Sequence, residues 1–162
     1  MPDYRKVTVE DLPDAPNPTS HKKEVDEAVG AGAFGFNVYV AEPGELVPWG
    51  RHFHPDHEEL FYVIEGALVD ETPDGEFAVG AGEAFYVPED APNKARAVGE
   101  SPARFIAVGA PKTADGSVIE DRCPSCGEVT RWGSAREDET VVLTCGSCGA
   151  ETSRFGPGPG DD

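Results

Sequence analysis

From Ala33 the chain alternates. Phe34, Phe36, Val38 and Val40 fall on one face of an extended segment and Gly35, Asn37 and Tyr39 on the other, which predicts a half-buried strand ended by Pro43-Gly44. The same reading predicts strands over Leu60–Ile64, Ala67–Thr72, Glu76–Val79, Ala84–Val87, Asn93–Val98 and Arg104–Val108, punctuated by Gly66, Pro73-Asp74-Gly75 and Pro88. Helices of ordinary length have no room between them. Short strands at this spacing predict an all-β jelly-roll barrel or sandwich over residues 31–110, because closing or doubling a sheet protects its edges.

The flanks follow other rules. Residues 1–30 are polar and broken by Pro13, Pro16 and Pro18, with Lys22–Val29 long enough for two helical turns, and are expected to form an arm over the main domain. Residues 111–120 read as a polar linker and 121–155 as a second unit. Past Phe155 the run Gly156-Pro157-Gly158-Pro159-Gly160 makes 156–162 an expected unstructured tail.

Composition sharpens this picture. Gly (19) and Pro (15) among 162 residues suit a turn-rich β fold, and 38% hydrophobic residues suffice for a modest core. Lys+Arg total 13 against 31 Asp+Glu, a net charge of −18. That balance disfavours nucleic acid and anionic membrane as partners, since both are gripped through clustered Lys and Arg, and Lys6, Lys22, Lys23, Lys94 and Lys112 form no stripe. No apolar run approaches the roughly 18 residues of a membrane span, and the start lacks a signal-type apolar segment. A soluble, cytoplasmic protein is the expectation.

All four Cys lie in two knuckles, Cys123-Pro124-Ser125-Cys126-Gly127 and Cys145-Gly146-Ser147-Cys148-Gly149, 18 residues apart. Two such pairs can close a tetrahedral thiolate shell around one Zn, each following Gly freeing the backbone to turn. Iron is the alternative metal, and disulfides or free thiols the metal-free alternative, disfavoured in a reducing cytosol. Glu128–Trp132 and Thr140–Thr144 suit a hairpin turning near 135–139, with Trp132, Val141 and Leu143 as its apolar face. A unit this small would draw most of its folding free energy from the metal. Residues 121–155 resemble a zinc ribbon. Their four Arg meet six acids, so they carry no basic patch for nucleic acid.

Three of the four His fall in one stretch, Gly50-Arg51-His52-Phe53-His54-Pro55-Asp56-His57-Glu58-Glu59, just before a strand. In an extended chain His52 and His54 share a side, and Glu59 is in phase with Phe61 and Val63. If that side faces the interior, two imidazoles and a carboxylate converge on one divalent cation. A solvated polar turn is the alternative, and it suits Asp56 and Glu58.

The spacing His52-x-His54-(x)4-Glu59-(x)6-Gly66 resembles the first motif of the cupin family, as does the flanking Glu58-Glu59-Leu60-Phe61-Tyr62-Val63-Ile64-Glu65-Gly66. The resemblance implies a double-stranded β-helix barrel with one open mouth, and His52, His54 and Glu59 as three of four metal ligands. The second motif, Gly82-(x)5-Pro88-(x)4-Asn93, keeps its Gly and Pro but places Asn93 where the family has its third His. An amide oxygen is a weak, neutral donor, so Asn93 is a weak or vestigial ligand. His57 is expected in solvent, with replacement of the missing His as the alternative. With Asn93, Ala95 and Ala97 inward, space opens near the metal, walled by Phe61, Val63 and Phe85. Trp49 and Arg51 lie beside the His pair, where a cation meets either an anionic substrate or a neighbouring acid.

The cupin fold hosts many chemistries, so the resemblance implies a fold better than a reaction. The leading expectation is a cupin that binds a divalent metal (Zn, Fe, Mn or Ni) and a small molecule in the barrel, with a structural Zn in the ribbon. The alternatives are a metal-dependent enzyme of dioxygenase or isomerase type, and a ligand-sensing regulator whose ribbon contacts a partner. Pairing of barrels in this family implies a homodimer.

The acidity is spread along the chain, with 4 basic against 14 acidic residues between Ala31 and Pro111, and resembles haloarchaeal composition. Such a surface self-repels at low ionic strength and is screened over about 3 Å at 1 M salt. A denaturation midpoint that climbs between low and molar salt is therefore expected; an unchanged midpoint would sink the halophilic reading.

Overall fold

The computed structural model describes residues 2–159. After a short 3-10 turn at Val9–Asp11, the arm supplies β1 (His21–Glu24) and one helical turn, α1 (Val25–Val29). The barrel follows as β2 (Gly35–Ala41), β3 (His52–Phe53), β4 (Glu58–Glu65), β5 (Ala67–Thr72), β6 (Gly75–Gly80), β7 (Ala84–Val87), β8 (Lys94–Val98) and β9 (Ala103–Ala110). One sheet runs β1-β2-β9-β4-β7 and a second β6-β5-β8, antiparallel throughout.

Side chains from both sheets fill the space between them. Phe61, Val63, Leu68, Val79, Val87 and Phe105 are buried there, with Tyr39 stacked on Phe105 at 4.9 Å. Ala95, Ala97, Ala103 and Ala107 are the small counterparts that let large rings sit opposite. Gly66 closes the β4–β5 turn at φ 74°, where a Cβ would lie 2.6 Å from the Pro102 carbonyl oxygen and 2.7 Å from Ala103 Cα. Only glycine satisfies both demands.

The alternation along β2 is present, and the face it buries in the barrel is the less apolar one. Tyr39 and Ala41 join the core and Asn37 faces the interior cavity, while Val38 and Val40 lie on the outer side near Val9 and His21 of the arm. Lys22–Val29 divides rather than forming two helical turns. Lys22 and Lys23 pair with Tyr39 and Val38 at the free edge of β2, and the helix starts only at Val25. An open sheet edge outbids a short, weakly nucleated helix.

Beyond the barrel lie β10 (Val118–Arg122), β11 (Val129–Glu137), β12 (Thr140–Cys145) and β13 (Glu151–Phe155), in the order β13-β12-β11-β10-β3. The hairpin turns at Asp138, φ 54°, between Glu137 and Thr140. Val141, Leu143 and Trp132 form the expected apolar face, and they share it with Ile119, Trp49 and Phe155. The stretch expected as a linker thus contributes a strand and a core residue. Gly156–Pro159, expected as a loose tail, lie against the arm: the Gly156 carbonyl accepts from Asn17 N–H and Pro157 bridges Pro16. Asp161 and Asp162 are outside the described residues. Among the described residues no helix is long and apolar enough to cross a membrane.

Asp26 fastens arm, barrel and following segment together. It is 4% exposed, accepts from Phe36 N–H at 3.0 Å, and pairs with Lys112 Nζ at 2.8 Å. Burial alone would raise its pKa; Lys112 and the Phe36 amide outweigh that and hold it below the usual value. A depressed folded-state pKa means the stabilisation is full above the unfolded value and fades as pH falls through the folded one. Asp26→Ala is expected to cost about 2 kcal/mol at pH 7 in chemical denaturation. That deficit should shrink below pH 4, where a constant deficit would refute the ion-pair account.

Candidate metal sites

The barrel site is built on a strand of two residues. His52 exchanges both backbone hydrogen bonds with Asn93 (3.1 and 3.0 Å) and pairs on its other edge with Ile119 of β10. Held on both sides, β3 turns His52 inward, and the extended chain carries His54 to the same side two residues later. Both are 8% exposed. Glu59 enters from β4 in phase with buried Phe61 and Val63, its Oε1 3.4 Å from His54 Nε2. One ligand atom from each of His52, His54 and Glu59 lies within 4.8 Å of the others.

Burial sets the protonation of this trio. Desolvation, then the neighbouring His54, lowers His52 to about 4; desolvation likewise lowers His54. Desolvation, then the negative charge of Asp115, raises Glu59 to about 7. Near neutral pH both imidazoles are uncharged. His52 Nδ1 donates to the Gly50 carbonyl at 3.2 Å, which leaves its Nε2 lone pair free.

Asn93 is 2% exposed; its amide donates to the Ala91 carbonyl at 3.3 Å, but its Oδ1 is buried without a partner. Two neutral imidazoles and a carboxyl group, with an orphaned oxygen on the same cavity wall, are a donor set that a divalent cation fits, because a cation would satisfy buried groups that lack other partners. These residues line a cavity of about 250 Å³ with Tyr39, Trp49, Phe61 and Ala95.

Several expectations about the wall change. Val63 is fully buried in the core and Phe85 packs on Phe77 at 5.3 Å, so neither lines the cavity, and exposed Arg51 does not reach it. The basic residue on the wall is Lys22 of β1, joined by Asn17 from the arm and by Asp115 and Ser117 from the segment before β10. No motif marks these residues, because loop and arm placement leaves no periodicity to read.

His57 departs most from expectation. It is 3% exposed rather than solvated, packed over Gly109, where a Cβ would strike the ring. Its Nδ1 donates to the Pro111 carbonyl at 2.9 Å. Asp115 completes the surroundings, with Oδ1 3.3 Å from His54 Nδ1, off the line of a hydrogen bond, and 3.7 Å from His57 Nε2.

The four cysteines converge separately. Cys123 Sγ is 3.7 Å from Cys148 Sγ and Cys126 Sγ 3.8 Å from Cys145 Sγ, all four within 4.8 Å and none in a disulfide. Each knuckle closes the same way, with Gly127 and Gly149 at φ near 75° and the amides of Ser125 and Ser147 aimed at Cys123 and Cys145. The Thr130 hydroxyl at 3.2 Å, then the amides of Cys148 and Ser147, holds the Cys145 thiol down at about 6. At Cys123 and Cys145 these preformed donors favour thiolate, the form a soft cation binds.

Comparison with known proteins bears on the barrel. Residues 37–109 match the Cupin domain family. Over 78 residues the chain is 32% identical to polyketide synthase CurC of Streptomyces cyaneus, covering 48% of this chain and 49% of that protein. The chain spans about half the length of the curated relatives it matches. A sugar phosphate isomerase from a cupin superfamily, of Silicibacter pomeroyi, superposes with a TM-score of 0.58 at 23% identity over 91% of this chain and 92% of that one. The polyketide cyclase RemF of Streptomyces resistomycificus gives 0.56 at 22% identity over 71% and 84%. Identities this low speak to fold alone. The facing antiparallel sheets, the agreement with these solved structures and the match of residues 37–109 to the Cupin domain together show that the barrel of this chain has the cupin double-stranded β-helix fold.

Proposed function

We propose that this chain is a metal-binding cupin. His52, His54 and Glu59 hold one divalent cation (Zn, Fe, Mn or Ni), with the Asn93 amide oxygen as a weak fourth donor. Cys123, Cys126, Cys145 and Cys148 hold a structural Zn in a ribbon. The observation that carries this reading is the convergence of the three barrel side chains within 4.8 Å beside the orphaned Asn93 oxygen. Once bound, such a cation would polarise an oxygen of a small molecule. The chain's own part is to seat that molecule in the cavity against Phe61 and Trp49, with Lys22 on the wall selecting an anionic one.

A metal-dependent enzyme is the second reading, favoured by the titratable Glu59 beside His57 and Asp115 at the cavity. Glu59, raised to about 7 and on the cavity wall, can take or return a proton within reach of a bound ligand. The names of relatives, an isomerase and a polyketide cyclase among them, agree with an isomerase-type or cyclase-type reaction.

Elemental analysis of purified protein tests the assignment. His52→Ala/His54→Ala is expected to lose one metal equivalent while one Zn per chain stays, and Cys145→Ser to lose that Zn instead. Equal metal content in wild type and His52→Ala/His54→Ala would remove the barrel site. Asn93→His should tighten the barrel metal, imidazole being the stronger donor; unchanged affinity would take Asn93 out of the ligand set.

A further inference from the structure

Next to the expected ligand set lies an arrangement that hydrogen bonding does not explain. His57 Nδ1 faces the Pro111 carbonyl at 2.9 Å, and because a carbonyl only accepts, Nδ1 carries the hydrogen. In the neutral ring Nε2 is then a lone pair. It faces Glu59 Oε1 at 3.8 Å and Asp115 Oδ1 at 3.7 Å, so three ligand atoms converge with no hydrogen bond joining them. The three atoms lie within 4.8 Å of one another.

These separations are too long for a hydrogen bond, so a proton on Nε2 would not join the groups. They match two donors on one ion, since ligand distances of about 2.0–2.2 Å hold neighbouring donors roughly 3–4 Å apart. We propose that His57, Glu59 and Asp115 form a second divalent-cation site, sharing Glu59 with the first.

The surroundings are built for it. Gly109, paired with Glu59 across β4 and β9, leaves the space the His57 ring fills. Asp115 comes from the segment after the barrel, anchored by Lys112, which donates to the Ala31 carbonyl at 2.9 Å and pairs with Asp26. His54 Nδ1, 3.3 Å from Asp115 Oδ1 but off the line of a hydrogen bond, does not hold that carboxylate. Two carboxylates and one imidazole form a harder donor set than His52, His54 and Glu59, suited to Mn²⁺. The Asp115 side chain is half exposed, which gives the ion a way in.

The site goes beyond the function proposed above and does not need His52 or His54. Its test is Mn²⁺ titration of the full chain with its cysteine metal in place, free Mn²⁺ being read by electron paramagnetic resonance. Working in about 1 M KCl screens the acidic surface. The His52→Ala/His54→Ala protein is expected to bind one Mn²⁺ per chain and to lose it when Asp115→Asn is added. Asp115→Asn alone should remove one of two equivalents, which keeps the test open if the double variant does not fold. Absence of Mn²⁺ on His52→Ala/His54→Ala, or binding unaffected by Asp115→Asn, would overturn the second site and leave the first standing. Wild-type stoichiometry in His52→Ala/His54→Ala, with loss in Asp115→Asn, supports the second site and refutes the first.

Discussion

The structure hangs on two residues of strand. His52 and Phe53 are hydrogen-bonded along both edges, to Asn93 at the entry to β8 and to Val118 and Ile119 of β10. A strand that short has no stability of its own, so its geometry is dictated by neighbours on either side. One neighbour belongs to the barrel and the other runs directly into Cys123. The placement of the His pair is therefore tied to the order of the cysteine unit, whose core borrows Trp49 from the loop just ahead of β3.

That tie extends through electrostatics. Asp121 accepts from Arg51 N–H at 3.0 Å and pairs with Lys94 Nζ at 2.7 Å, binding β10, the His-bearing loop and β8 into one node. Gly50 allows the approach, since a Cβ there would meet Ile119 at 3.1 Å and Trp132 at 3.4 Å. A metal on the cysteines would hold β10 and β11 at their join, and so act on the His-bearing strand through hydrogen bonds rather than through direct contact.

Charge plays two separate parts. On the surface the excess of 31 acids over 13 basic residues is long-ranged and screened by salt. At the barrel mouth a few acids act by burial instead: Glu59 rises to about 7 because desolvation and Asp115 both oppose its ionisation. A cation of either kind, proton or metal, relieves that opposition, so the acidity of the surface and the acidity of the site answer to different variables.

Much of this was legible in the chain itself. Period-two alternation located Ala67–Thr72 and Ala84–Val87 to the residue, because strands buried on one face must alternate. The spacing His52-x-His54-(x)4-Glu59 marked a convergent trio, since two-residue steps on an extended chain keep side chains on one side. The cysteine knuckles announced their own cluster through local turns. What only the tertiary structure decided was everything brought by chain far away in sequence. His57 is buried because Gly109 yields its place and the Pro111 carbonyl accepts its hydrogen bond, and Asp115 and Lys22 reach the cavity from segments without periodicity. Local pattern records which way a side chain points along its own strand; which distant backbone packs against it, and so whether it is solvated or ligating, is settled when sheet edges find partners and buried polar atoms find theirs.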